Sequence, residues 1–313
     1  MSISYSRPLS MGYQRMKKAL FQPFDISKWF RIGFTAFLAG LTDCHGNGGG
    51  NSSGNNYKEL DNFFSFPQTA WNWLTDNPLW ANLILVGLVF LIILISVLIW
   101  VSARGKFMFL HNVVHDNSQI IEPWHEYRKE GNSLFWFDFI VGWFAFAVFV
   151  LLAAYFFVSA KELYYGDFTK PAIFLAILQM VLLLIAYIIF FGYIGLFEKD
   201  FVVPLMYKYR IGVMRAWGKF LVLLSKKLFT FLIYGLFIFV LGIAVAIGVL
   251  FFALITCCIG LLLIAIPYIG AVILLPVSYT FRAFSIEFLA QFGDNYNVFP
   301  NDVSELPVDS PEE

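Results

Sequence analysis

The stretch that decides the fold is Leu79–Ala103, LWANLILVGLVFLIILISVLIWVSA, which carries no ionisable side chain over about 25 residues. As a helix rising about 1.5 Å per residue it reaches roughly 37 Å, enough for a hydrocarbon core of about 30 Å. Three further runs meet the same length: Leu134–Val158, Ala172–Phe197 and Leu228–Thr256. A fifth, Ile259–Ala290, is interrupted by Pro267 and Pro276 and reads as one crossing after a short turn. The weakest candidate begins at Trp29, beside Lys28 and Arg31. Of the 313 residues 59% are hydrophobic and 13% charged, far from the balance of a soluble domain. The expected fold class is all-α integral membrane, a six-helix transmembrane bundle forming a single domain over 1–293. Its crossings lie at about 29–43, 79–103, 134–158, 172–197, 228–256 and 266–290. A disordered acidic tail is expected over 294–313.

Net charge is zero, but in a membrane protein the placement of Lys and Arg matters more than their sum. With the N-terminus inside, 18 of the 21 cations fall on the inner side, leaving Lys58, Lys161 and Lys170 outside. Both termini are therefore expected in the cytoplasm. The first apolar run begins near residue 29 and leads into no soluble domain, so no cleavable signal peptide is read.

On this topology the stretch 43–56, DCHGNGGGNSSGNN, lies outside. It lacks the Gly-Lys-Ser/Thr ending of a phosphate loop and has the composition of a flexible connector. Cys44, Cys257 and Cys258 share that side. They are read as unpaired apolar thiols, as a disulfide from Cys44 to one of the other two, or as a soft-metal site with His45.

The inner segments carry most of the pattern. In the segment 104–139, Pro123 suits a first helical turn and Gly131 a helix stop, so 122–130 is expected to be a short surface helix. Trp124 and Tyr127 on it would face headgroups. His111 and His115 are spaced i, i+4 and could ligate zinc. A site also needs a third ligand, for which Glu122 is the candidate, and the His-Glu-x-x-His arrangement is absent, so polar interfacial histidines are the competing reading. From Ile211 onward Val213, Met214, Trp217, Phe220, Leu221 and Leu224 form an apolar stripe. With Arg215, Lys219, Lys226 and Lys227 it makes an amphipathic interfacial elbow before the fifth crossing, suited to anionic lipid or a partner.

Ionisable groups at membrane depth are site hypotheses by default. Asp138, Arg282 and Glu287 qualify, with Arg282 either paired to Asp138 or reaching to headgroups. Pro276 is expected to kink the last crossing and free carbonyls beside a cavity. The inventory is too sparse for a proton relay, and no helix carries the repeated arginines of a voltage sensor.

The segment FVVPLMYKYRIGVMRAWGKF (201–220) resembles a pattern in bacterial and archaeal multi-pass proteins of unknown function. These include proteins similar to the membrane domain of glycerophosphoryl diester phosphodiesterase. RGKFMFLHNVV (104–114), EPWHEYRKEGNSLF (122–135) and FLAQFGDNY (288–296) resemble one uncharacterised bacterial branch that also has a glycine-rich loop after its first helix. The resemblance implies the membrane fold and a bacterial plasma-membrane location. It transfers no catalytic residue or substrate, and the catalytic barrel of the phosphodiesterases has no counterpart here.

The expected function is that of a non-enzymatic scaffold binding membrane lipids or a protein partner at the cytoplasmic face, with no cofactor and no nucleic acid. The alternative is a small-molecule or lipid transporter with its cavity near Pro276.

Overall fold

The computed structural model describes residues 3–42, 57–166, 169–256 and 259–299. Among the described residues the chain is helical and has no strand. In chain order the helices are α1 (Ser6–Phe21), α2 (Ile26–Ala39), α3 (Tyr57–Asp76), α4 (Pro78–His115), α5 (Ile121–Glu126), α6 (Arg128–Tyr165) and α7 (Lys170–Phe197). A π-helical segment, Glu198–Val202, leads into α8 (Val203–Tyr209). Then come α9 (Val213–Lys226), α10 (Leu228–Ile255), α11 (Ile259–Ala265), α12 (Pro267–Ile273), α13 (Leu275–Ala290) and a 3₁₀ turn, Asp294–Tyr296.

Among the described residues, four helical stretches are long and apolar enough to cross a membrane: Pro78–His115, Arg128–Tyr165, Lys170–Tyr209 and Leu228–Ile255. A fifth arises if α12 and α13, bent by 64° at their junction, count as one. The apolar windows of the first three stretches are not buried in protein at all. Surfaces of that extent are far larger than water tolerates, and lipid is the solvent that suits them. This is a membrane protein.

The first expected crossing is a shorter element. At 14 residues α2 spans roughly 21 Å, below the thickness of a hydrocarbon core. Thr42, just past its end, lies with its hydroxyl 3.0 Å from that of Ser102, where the apolar run of α4 ends. Within the stretch expected to be the tail, 294–296 form a turn and Val298 and Phe299 are buried. Arg15 lies 3.7 Å over the Phe299 ring, which holds that end in place.

Contacts divide the chain into two compact units. One comprises 43–99 and 138–192. In it the Phe64 ring meets Phe157, Tyr164 and Tyr165, the Tyr187 hydroxyl donates to the Ala145 carbonyl at 3.1 Å, and Gln179 donates to the Tyr155 oxygen at 3.0 Å. Its long helices are otherwise studded with exposed Leu, Ile, Val and Phe.

The other unit, 1–42, 100–137 and 193–313, is packed like a soluble core. Residues 102–114 of α4 are buried on every side, and so are 282–289 of α13. Phe201 is the hub, with ring centroids 4.8 Å from Tyr234, 5.0 Å from Phe231 and 5.3 Å from Phe220. Each fully buried Phe contributes about 2–3 kcal/mol. Helix α1 runs antiparallel to α13: Ser4 and Gln291 exchange two 2.9 Å hydrogen bonds, and Arg15 pairs with Glu287 at 2.6 Å. Helix α2 lies along α12, where Trp29 Nε1 donates to the Val272 carbonyl at 2.9 Å. Gly105 is where α4 meets α2, because a Cβ there would come within 2.6 Å of the Leu38 carbonyl carbon.

Candidate functional site

The site is built where four elements of the packed unit bring polar side chains inside. On the π segment, Glu198 and Asp200 are two residues apart and so face different neighbours. Glu198 accepts from Lys106 of α4 at 2.7 Å, with both side chains 8% exposed. Asp200 accepts from the Tyr234 hydroxyl of α10 at 2.9 Å. Between these two acids, Lys199 offers its carbonyl to Arg282 Nη1 of α13 at 2.5 Å. A π turn inside a long helix is uncommon, and such turns frequently mark functional positions.

Beside this network is a layer of imidazoles and phenols. His111 and His115, one turn apart on α4, stack with centroids 4.4 Å apart. The Tyr207 hydroxyl of α8 lies 3.1 Å from His111 Nδ1 and 3.2 Å from His115 Nδ1. Tyr127 stacks on Tyr207 at 4.8 Å and is covered by the Arg210 guanidinium at 3.8 Å. Burial pushes the Tyr127 phenol above its ordinary pKa. Both helices that deliver these groups stop at a left-handed residue, Asp116 with φ 52° and Arg210 with φ 51°. Asp adopts that conformation readily. Arg210 is held in it by ion pairing to Glu126.

His115, Tyr207 and Lys208 open onto a cavity of about 650 Å³, completed by Val114, Asp294, Asn297, Val298 and Phe299. A separate apolar cavity of about 260 Å³ lies at the bend between α12 and α13, lined by Val245, Gly248, Val249, Phe252, Ile264, Ile273, Leu274 and Val277.

Several sequence expectations change. Tyr127 is 4% exposed and belongs to the phenol layer, not to a headgroup surface. Gly131 does not stop a helix. It lies inside α6, where a Cβ would come within 2.9 Å of Arg104 Cγ. Trp124 meets Trp100 edge-on at 5.6 Å, and Arg104 lies 4.2 Å over the Trp100 ring. Pro276 sits in the first turn of α13, next to the bend. Arg282 and Glu287 are buried as polar residues and take separate partners, the Lys199 carbonyl and Arg15. Asp138 is half-buried and falls in the other unit.

His111 and His115 find Tyr207 between them, and among the described residues no third His, Cys, Asp or Glu completes a metal-binding group. On α9 the buried residues are Val213, Ala216, Phe220 and Leu223, whereas Met214 and Leu221 of the expected stripe are exposed. Trp217 packs on Phe137 at 5.8 Å, and Arg215, Lys219, Lys226 and Lys227 are exposed. Cys44, Cys257 and Cys258 lie outside the described residues. Reading the sequence missed Lys106, Glu198, Asp200, Tyr207 and Arg15. The available signal was charge alternating with large apolar residues, as in RGKFMFLH and FEKDFVVP, where a plain loop has no need of the apolar ones.

Residues 7–296 match the Family of unknown function (DUF7544). The chain belongs to this family. The match runs from α1 to the 3₁₀ turn, so the DUF7544 region contains the whole charged network and the His–Tyr layer. No curated protein and no solved structure matches the chain.

Proposed function

We propose that this polytopic membrane protein is a non-enzymatic scaffold, whose packed unit lies at the cytoplasmic face and binds anionic lipid through the exposed side of α9. One observation carries the reading. Arg215, Lys219, Lys226 and Lys227 are exposed together with Met214, Leu221 and Val222, on a helix whose opposite side is fixed in the core. Such a face supports reading α9 as an interfacial elbow. Each cation near an anionic surface contributes roughly 1 kcal/mol, and the apolar residues enter the headgroup boundary.

The hydrogen-bonded pair Ser4 and Gln291 supports a topology with both ends on one side, and so an even number of crossings. The four long helices alone satisfy this, and so do six if α2 with its following segment and the bent α12–α13 pair both cross. The placement of 18 of the 21 Lys and Arg supports the cytoplasm as that side. The residue-level likeness to bacterial multi-pass proteins favours a bacterial plasma membrane.

Native mass spectrometry of the protein in nanodiscs of mixed anionic and zwitterionic lipid tests the proposal. Anionic lipid retained by the wild type should be lost when Arg215, Lys219, Lys226 and Lys227 are all changed to Gln. Equal retention by both would reject lipid binding through α9 and point to a protein partner.

The apolar cavity at the α12–α13 bend favours a second reading, a transporter of lipid or of a small apolar solute. Its lining offers no charge to an ion. Gly248→Leu, which fills the cavity, should then abolish flux of an acyl-chain probe in proteoliposomes, and a wild type without flux removes this reading.

A further inference from the structure

The polar cavity beside Tyr207 is independent of the lipid-facing side of α9, and its donors outnumber its acceptors. Lys208 Nζ donates to the Asp294 carbonyl at 2.6 Å, and no carboxylate lies within ion-pairing distance of it among the described residues. Two of its three N–H groups therefore remain to be used. Asn297 accepts from the Phe299 N–H through Oδ1 at 3.1 Å, and its amide nitrogen has no partner among the described residues. His115 Nδ1 lies 3.2 Å from the Tyr207 oxygen and 3.3 Å from the His111 carbonyl, and its Nε2 has no partner among them.

One phenol O–H cannot donate to both imidazoles. When Tyr207 donates to His115, His111 supplies its own Nδ1–H to the phenol oxygen, and His115 gives up the Nδ1–H that would reach the His111 carbonyl at 3.3 Å and presents Nε2–H to the cavity. Lys208, Asn297 and His115 then offer N–H donors to one space. Against them stands one acceptor, the Asp294 carboxylate. Val114, Val298 and Phe299 supply an apolar side. At about 650 Å³ the space exceeds a bare oxyanion and suits a small organic molecule that carries one.

We infer that this cavity is a binding site for a phosphate-type oxyanion, free or borne by a small monoester, held by Lys208, Asn297 and the Nε2–H of His115. Binding selects the tautomer in which Tyr207 donates to His115.

Calorimetric titration of the full chain in zwitterionic nanodiscs with inorganic phosphate, sulfate and glycerol 3-phosphate tests the site, with glycerol as control. Saturable binding of the oxyanions but not of glycerol is expected. Tighter binding of the monoester than of phosphate identifies an organic ligand, and equal binding identifies the free ion. Lys208→Met should weaken binding about tenfold or more, since a charge-assisted hydrogen bond is lost. Asp294→Asn, which changes an exposed side chain and removes the one opposing charge, should strengthen it. Absence of saturable binding by the wild type, undiminished binding by a folded Lys208→Met protein, or weaker binding by Asp294→Asn would each overturn the assignment. The last result would indicate a cationic ligand.

Discussion

Lys106 and Glu198 form an ion pair at 2.7 Å in which neither side chain is more than 8% exposed, joining α4 to the π segment. Removing one partner of a buried pair costs about 3–5 kcal/mol, while replacing both by uncharged groups of similar size costs much less. Lys106→Met should therefore lower thermal stability sharply, and the double variant Lys106→Met/Glu198→Gln should recover most of the loss. Melting curves in one detergent provide the comparison. A double variant as unstable as the single would mean that the pair is not the coupled unit described.

Gly105 should tolerate no side chain, because an added Cβ meets the backbone of Leu38 and Ala39 at 2.6 and 2.7 Å. Backbone cannot move aside as a flexible side chain can, so Gly105→Ala should cost about 1–3 kcal/mol. Gly242→Ala, with nothing within 4 Å among the described residues, should be neutral or slightly stabilising through the better helix propensity of Ala. Equal melting temperatures for the two variants would contradict the close approach of α4 to α2.

Tyr127 carries a pH prediction. Burial raises its folded-state pKa above the value near 10 of an unfolded tyrosine. Its contribution is thus fully present below about pH 10 and is lost as pH rises through the folded pKa. Thermal stability should fall more steeply above pH 10 in wild type than in Tyr127→Phe. Ultraviolet difference spectra of the two proteins should show one phenol ionising late. Identical alkaline profiles would place Tyr127 in water.

Topology can be tested separately. Because Ser4 and Gln291 exchange two hydrogen bonds, fluorescent-protein fusions at either end should report the same compartment. A fusion that fluoresces in the cytoplasm at one end only would require an odd number of crossings.

Much of the membrane part was legible, because a run such as Leu79–Ala103 has one physical solution. Where charge enters, legibility fails for a specific reason. Lys106 and Arg104 look like the loop cations that set orientation, and only tertiary packing tells that α4 continues helical to His115 and buries them. Tyr127 looks like an interfacial aromatic until Tyr207, 80 positions later in the chain, stacks on it. The pair His111 and His115 was visible from spacing, but the hydroxyl between them comes from another helix, which spacing within one segment cannot reveal. Pro276 was readable because proline acts on its own backbone, and the bend it borders is 64°.

The π segment has a consequence for how this chain can vary. A π turn holds one residue more than the α-helix around it, so it works as a phase shifter along a single rod. Deleting one residue within 198–202 would leave the rod helical but rotate everything beyond it by about 100°. Tyr207 would leave the histidines, Lys208 would leave its cavity, and Arg210 would leave Tyr127. Length in these five residues is thus under tighter constraint than identity, and insertions or deletions should be tolerated far better in the stretch 43–56 than here.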